Sequence, residues 1–330
     1  MIVFEFVGLL LILTGAAALL SYGAEALAER YGANFTGSLV LGLITTLPEY
    51  MFVIWASIKG HYEMAVGSAV GSCALLITLG YGSVILLATT RASRKPVEVV
   101  RLSKHTQVDA LYLLVTAVIA FALAYEGDGF DLKDAIILIA LFFIYGIHVA
   151  KGAIAFCRSN AAANHSTRAL VKSVVFLVTG GVVIFFFSAP FVDSMIALAK
   201  VLGVSPMTIA IILGPLASEM PEKITAYITV IRDGRLAEIS VCNFIGSKVN
   251  HNSLLLGTMP IIAVLQGHSG VGGIINLPFI IMTALTVVAT LSLSRRRLER
   301  WEGVVFVLLY GLVVWGAFHV GIGQMPVAHS

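Results

Sequence analysis

Two stretches of this sequence resemble one another, and the rest of the chain is interpreted around them. The first runs Gly42-Leu-Ile-Thr-Thr-Leu-Pro-Glu49 and is followed by Ala65-Val-Gly-Ser-Ala-Val-Gly-Ser72. The second runs Gly214-Pro-Leu-Ala-Ser-Glu-Met-Pro-Glu222 and is followed by Ser240-Val-Cys-Asn-Phe-Ile-Gly-Ser247. Each has a hydroxyl residue, then Pro-Glu, then Gly-Ser on the next apolar segment. The spacing from Glu to Ser is 23 residues in the first and 25 in the second. This pattern indicates an internal repeat.

The composition around the two stretches is that of a membrane protein. Hydrophobic residues make up 58% of the 330 residues and charged residues 12%, with a mean hydropathy of +0.96. A soluble domain carries about 25% charged residues. Apolar runs near the ~20 residues that cross a bilayer recur along the whole chain. We predict an all-α membrane protein with ten transmembrane helices, at about residues 2–22, 36–58, 63–88, 107–125, 132–157, 170–190, 205–231, 236–265, 274–293 and 301–322.

The distribution of basic residues predicts the orientation. With the N-terminus outside, the cytoplasmic loops hold fifteen lysines and arginines, and the outer loops hold only Lys59, Lys133 and Lys200. Basic residues favour the cytoplasmic side of a membrane. Both termini are therefore predicted to be extracytoplasmic in this multi-pass protein.

The repeat motifs fall on spans 2 and 7, which lie five spans apart and so cross the bilayer in opposite directions. We expect two inverted five-helix repeats: residues 1–157, with a motif at about 42–76, and residues 170–330, with a motif at about 214–257. A cytoplasmic linker at 158–169 joins them. Such repeats hold their substrate near the midplane, on interrupted helices. Pro48 and Pro221 predict that helices 2 and 7 are broken, because proline removes a backbone hydrogen bond.

These residues resemble the two alpha-repeats of the calcium/cation antiporter superfamily, which includes sodium/calcium and proton/calcium exchangers. The family's repeats read roughly G-T-S-x-P-E, then G-N-x-x-G-S-N on the next helix. The resemblance implies that Glu49 and Glu222 are the central carboxylate ligands of a divalent cation. It also implies hydroxyl or carbonyl ligands at Thr45, Thr46, Ser72, Ser218 and Ser247.

The sequence departs from the family pattern close to these positions. Cys73 and Lys248 stand where each Gly-Ser is followed by Asn, and Glu219 replaces a serine before Met220-Pro-Glu222. Four residues after Ser247, where sodium/calcium exchangers place Asn or Asp, the chain has His251. The run from Gly246 to Gly257 is more similar to the proton/calcium branch. The chain is identified as a divergent member, in which the usual sodium ligands look incomplete.

The unusual residues lead to a hypothesis about coupling. Glu219 shares a helix face with Glu222, and Lys248 shares one with His251, because residues three apart are neighbours on a helix. With Glu49, and with histidine neutral, the ionised groups sum to −2, which would balance one divalent ion. Lys248 could be a built-in cation, or it could hold Glu219 or Glu222 in a permanent salt bridge. Since buried lysine and histidine can change protonation near neutral pH, protons could be exchanged through Glu219, Glu222, Lys248 and His251.

We therefore predict a secondary antiporter that exchanges a divalent cation, Ca2+ first, for H+ or Na+ by alternating access. Oxygen ligands suit Ca2+, and carboxylates inside a bilayer are functional suspects. Within transporters, the alternative is a Na+/H+ exchanger or an exchanger of Mg2+ or Mn2+ with the same fold. A cation channel is the alternative from a different class of protein. Metalloprotease (HExxH), serine hydrolase (GxSxG) and nucleotide-binding motifs are absent from the sequence, so no enzyme is expected. No cofactor and no nucleic acid partner are expected; the partners are inorganic cations and the lipid bilayer.

Overall fold

The computed structural model describes residues 2–31, 46–159 and 167–323. Thr45, with the start of the first repeat motif, lies outside the described residues, as does most of the predicted linker at 158–169. In the described part nearly all regular structure is helical. The α-helices are α1 (Ile2–Tyr31), α2 (Leu47–Ile58), α3 (Tyr62–Leu75), α4 (Tyr81–Thr89), α5 (Lys104–Gly127), α6 (Leu132–Ser159), α7 (Thr167–Leu202), α8 (Pro206–Ser218), α9 (Met220–Arg232), α10 (Ala237–Asn250), α11 (Leu256–Leu265), α12 (Leu277–Ser294) and α13 (Arg300–Gly323).

Seven helical segments of the described chain are long and apolar enough to cross a membrane. They are Ile2–Leu20, Tyr62–Thr89, Lys104–Gly127, Leu132–Lys151, Val171–Leu202, Leu277–Ser294 and Arg300–His319. Leu47–Ile58 and Pro206–Leu216 are apolar but shorter. These two short helices carry parts of the repeat motifs, and Pro206–Leu216 lies in a helix that ends at Ser218, within the second motif.

The predicted span at 205–231 is divided in two. Helix α8 ends at Ser218, and α9 begins at Met220 with Pro221 in its first turn. Proline has no N–H to donate to the carbonyl four residues earlier, so a helix tends to stop before it and restart at it. The predicted break in span 7 is confirmed, because two separate helices, α8 and α9, meet at Glu219.

Two long helices each contain one π-helical turn, which the sequence pattern did not predict. Residues Leu76–Gly80 join α3 to α4, and residues His251–Leu255 join α10 to α11. Each π-turn begins four residues after the serine of a Gly-Ser pair, Ser72 in one case and Ser247 in the other. Single π-turns inside α-helices occur frequently at functional sites. The two repeat motifs therefore share a local distortion as well as a sequence pattern.

Two short antiparallel strand pairs hold loops together at opposite ends of α5. Strand β1 (Val100–Arg101) pairs with β4 (Arg297–Leu298), and β2 (Gly129–Asp131) pairs with β3 (Gly270–Gly272). The loop near β1 also contacts the α9–α10 connection, since Arg94 N donates to Ile231 O at 2.7 Å. At the other end, Gln266 Nε2 donates to Ile58 O at 2.7 Å. These contacts group the loops into the same two sets that the charge distribution predicts.

Helices α3 and α8 pack backbone against backbone, and this contact positions the site. A Cβ at Gly71 would lie 2.3 Å from the carbonyl oxygen of Ile211, and one at Gly67 would lie 2.9 Å from that of Met207. Glycine is therefore required here for close approach. The contact brings Ser72, the next residue on α3, to the level of the break between α8 and α9.

Candidate cation-binding site

The two Pro-Glu sequences begin two helices in the same way. Helix α2 starts at Leu47, with Pro48 and Glu49 in its first turn. Helix α9 starts at Met220, with Pro221 and Glu222 in its first turn. The first turn of a helix exposes unpaired N–H groups and a partial positive charge, both of which favour a carboxylate. Glu49 and Glu222 are buried, with 2% and 5% of their surface exposed.

Glu219 occupies the break itself, between the end of α8 and the start of α9. Its side chain is 1% exposed and pairs with the ammonium of Lys248 on α10, at 3.4 Å from Oε1 to Nζ. Lys248 is fully buried, and its Nζ lies 2.9 Å from Nδ1 of His251. The shared face predicted for Lys248 and His251 is therefore observed. The partner of Lys248 is Glu219 rather than Glu222.

Three buried side chains from three separate segments of the chain converge at the break between α8 and α9. One ligand atom from each of Glu49, Glu219 and His251 lies within 4.8 Å of the other two, and all three residues are buried. Glu222 is not a member of this group within the described chain. It accepts a hydrogen bond from Asn243 Nδ2 at 2.8 Å instead.

Several buried oxygens around this group make no hydrogen bond of ordinary length and angle in the described structure. They are Oε2 of Glu49, Oε2 of Glu219, and the hydroxyl oxygens of Ser72 and Ser247. An unsatisfied buried polar atom carries a free-energy cost of about 1–3 kcal/mol, and more when it is charged. Oxygens of these types are the ligands that hard cations bind.

The other predicted hydroxyl ligands have different partners. Thr46 Oγ1 accepts a hydrogen bond from Asn250 Nδ2 at 2.8 Å, and Asn250 Oδ1 accepts one from the Tyr50 hydroxyl. Ser218 Oγ donates to Gly214 O at 3.3 Å on its own helix. Asn250 therefore links the start of α2 to the end of α10 through hydrogen bonds.

Lys223 adds a charge that the sequence-based count omitted. It follows Glu222 directly, and it is 2% exposed, so its side chain does not extend to the surface. With Glu49, Glu219, Glu222 and Lys248 also ionised, three carboxylates and two ammonium groups leave a net charge of −1 instead of −2. Among the described residues no carboxylate lies within ion-pair distance of Lys223. The side chain of a lysine in an apolar helix can be buried, or it can extend along the helix to place its ammonium group in water. The structure shows that Lys223 is buried.

A narrow cleft, with room for about one water molecule (10 Å3), lies beside the start of α2 and the end of α8. Pro48 and Phe52 of α2, Phe191 of α7 and Ser218 of α8 are among its lining residues. Phe52 lies beyond Glu49 in the direction of Ile58, where α2 ends. The cleft therefore lies between the carboxylates and the end of the bundle that carries Lys59.

Comparison with known proteins places this arrangement in a family. Residues 1–150 and 172–319 match the family described as "Sodium/calcium exchanger protein". The chain belongs to this family. Family and fold are those of membrane-spanning antiporters and not of enzymes.

Three similar proteins show how far the likeness extends. An uncharacterized membrane protein of Methanocaldococcus jannaschii is 25% identical over 300 residues, which are 88% of this chain and 90% of that protein. The crystal structure of the H+/Ca2+ exchanger CAX superposes with a TM-score of 0.78 at 21% identity, covering 98% of this chain and 87% of that one. The sodium-calcium exchanger NCX_Mj superposes with a TM-score of 0.68 at 22% identity, covering 96% and 99%. At these identities the two solved structures establish a shared fold.

Proposed function

We propose that this family member exchanges Ca2+ for H+ across the bilayer, by alternating access at a site centred on the converging Glu49 and Glu219, with Glu222 in the first turn of α9 as the third carboxylate. Hydroxyl oxygens of Ser72 and Ser247 complete the first set of ligands, and Thr46 and Ser218 frame it. Na+ is the alternative counter-ion, and transport in sodium-free buffer distinguishes it from H+.

The observation that carries the proposal is the set of buried oxygens without partners. Glu49 Oε2 and Glu219 Oε2 belong to side chains that converge within 4.8 Å. Two carboxylates so close, and away from water, repel each other unless a cation or a proton lies between them. Ca2+ takes six to eight oxygen ligands at about 2.3–2.6 Å, and the serine hydroxyls of α3 and α10 add to the carboxylates.

We also propose the complete topology: ten spans in two inverted five-helix repeats, residues 1–157 and 170–330, joined by a cytoplasmic linker at 158–169. Three features support it. The helix start at Pro48-Glu49 corresponds to that at Pro221-Glu222, and the π-turn at Leu76–Gly80 corresponds to that at His251–Leu255. The two strand pairs join loops at opposite ends of α5, as expected for loops on two sides of a membrane. Both termini are extracytoplasmic in this topology, because the basic loops then face the cytoplasm.

Protons are proposed as the counter-ion because a lysine and a histidine stand among the candidate ligands. An ammonium group donates hydrogen bonds only and cannot ligate Na+. The solved exchanger of higher TM-score is described as an H+/Ca2+ exchanger, which is consistent with this choice.

The experiment is Ca2+ uptake by purified protein in liposomes. A pH gradient alone, in sodium-free buffer, is expected to drive uptake, and dissipating that gradient with a protonophore should abolish it. If Ca2+ uptake requires a Na+ gradient, the counter-ion is Na+ and not H+. Absence of saturable Ca2+ exchange with either gradient would contradict the proposed function.

A further inference from the structure

We infer that Lys248 is a tethered cation, whose ammonium group occupies a position that would otherwise bind an exchangeable alkali cation. The inference rests on the proposed cation site and deepens it, since it states which ions that site excludes. The site then binds only its divalent substrate. Na+ is excluded because the Lys248 ammonium occupies the position that Na+ would take.

The surroundings of the ammonium group support this role. Lys248 is fully buried, and its Nζ lies 3.4 Å from Oε1 of Glu219. The other oxygen of Glu219 makes no hydrogen bond in the described structure, and the Glu219 side chain belongs to the group that converges with Glu49. The ammonium is therefore paired with a carboxylate that is itself part of the candidate site.

His251 fixes the position of this ammonium. An ammonium is a donor without a lone pair, so Nδ1 of His251 must accept the 2.9 Å hydrogen bond. A neutral imidazole that accepts at Nδ1 carries its proton at Nε2. That N–H lies 3.8 Å from Oε1 of Glu219 and has no other partner in the described residues. His251 is thus a positioning residue that holds Lys248 and faces Glu219 with a donor, not a metal ligand.

The distinction from an ordinary buried salt bridge lies in what removal of the charge would do. Methionine keeps most of the lysine stem and ends one atom earlier, so Lys248→Met empties the ammonium position with little other change in packing. Glu219 is then a buried carboxylate with a vacancy beside it, and the site is one unit more negative. Na+ is smaller than an ammonium group and takes carboxylate, hydroxyl and carbonyl oxygens. The variant should therefore bind Na+, which the wild-type protein should not.

The first test is Na+-dependent thermal stability of the purified full-length protein in detergent. A ligand that binds the folded state alone raises the unfolding midpoint with the logarithm of its concentration. We compare NaCl with choline chloride at equal ionic strength. Lys248→Met should show a midpoint that rises with Na+, and the wild type should show none. Lys248→Gln, whose neutral amide keeps a polar group on a stem as long as that of methionine, is the second variant if Lys248→Met does not fold.

The matched control removes both charges. In Lys248→Met with Glu219→Gln the carboxylate that faced the ammonium position is neutral as well, so the Na+-dependent shift should disappear while the protein stays folded. A folded Lys248 variant without any Na+ shift would overturn the inference. So would a shift of equal size in the wild type or in the double variant.

The second test is transport, and it separates this inference from the proposed function. Ca2+ exchange by the wild type should not change when Na+ replaces choline, whereas exchange by Lys248→Met should become Na+-dependent. If the wild type moves no Ca2+ in liposomes, the proposed function fails, and the thermal test still decides whether Lys248 occupies a cation position. If the wild type exchanges Ca2+ but Lys248→Met shows no response to Na+ in either test, the inference fails alone.

Discussion

Replacing Gly71 with alanine should impair both folding and transport, through a contact that involves no charged group. An alanine Cβ at this position would lie 2.3 Å from the carbonyl oxygen of Ile211 and 2.6 Å from its Cα. Ordinary contact begins near 3.4 Å, so the backbones of α3 and α8 must separate by about 1 Å. Overpacking of this kind costs about 1–3 kcal/mol, and we expect the upper end because the obstacle is backbone rather than a movable side chain.

The same separation displaces Ser72 from the break between α8 and α9. Functional groups must be held within about 0.5 Å of their working geometry, and a misplacement of 1 Å can cost about 100-fold in rate. Ca2+ exchange in liposomes, normalised to folded protein, should therefore fall by about 10- to 100-fold.

Two other glycines provide a graded comparison. Gly67→Ala places its Cβ 2.9 Å from Met207 O, so its effect should be intermediate; Gly311→Ala meets nothing within 4 Å and should be neutral. Stability and exchange are measured for all three variants. Wild-type behaviour of Gly71→Ala would refute the close packing of α3 on α8, and with it the account of how Ser72 reaches the site.

Two further predictions concern the link between the motifs and the orientation of the chain. Asn250→Leu removes the hydrogen bonds to Thr46 and Tyr50 and should lower the free energy of unfolding by about 1–3 kcal/mol; unchanged chemical denaturation would show that this link is dispensable. In a cysteine-free background, a membrane-impermeant maleimide should label Lys133→Cys from outside intact cells, and Arg297→Cys only after permeabilisation. The reverse labelling would invert the topology.

The sequence predicted the helix starts at the site because the residues that make them are chemically distinctive. Pro48 and Pro221 each remove an N–H, and a glutamate follows each one, so the break before α9 and the burial of Glu49 and Glu222 could be anticipated. The spacing of Lys248 and His251 likewise predicted their contact.

Other features depend on tertiary contacts that no local pattern encodes. Helical spacing allowed Lys248 to pair with Glu219 or Glu222, and the position of α10 against the helix break decides for Glu219. The hydrogen bond from Asn243 to Glu222 joins residues 21 positions apart, on two helices. The burial of Lys223 was not predicted, because the sequence of an apolar helix with one lysine is the same whether that lysine is buried or at the surface. The two π-turns were not predicted either.

The central claim is that Glu49 and Glu222 belong to one cation site. It is tested most directly by counterflow of labelled Ca2+ in liposomes for Glu49→Gln and Glu222→Gln, which keep the side-chain shape and remove one charge each. Glu63→Gln is the matched control, because Glu63 is an exposed carboxylate at the start of α3. The account predicts that both central variants stay folded and lose saturable counterflow, while Glu63→Gln retains it. Wild-type counterflow in either central variant would contradict the account.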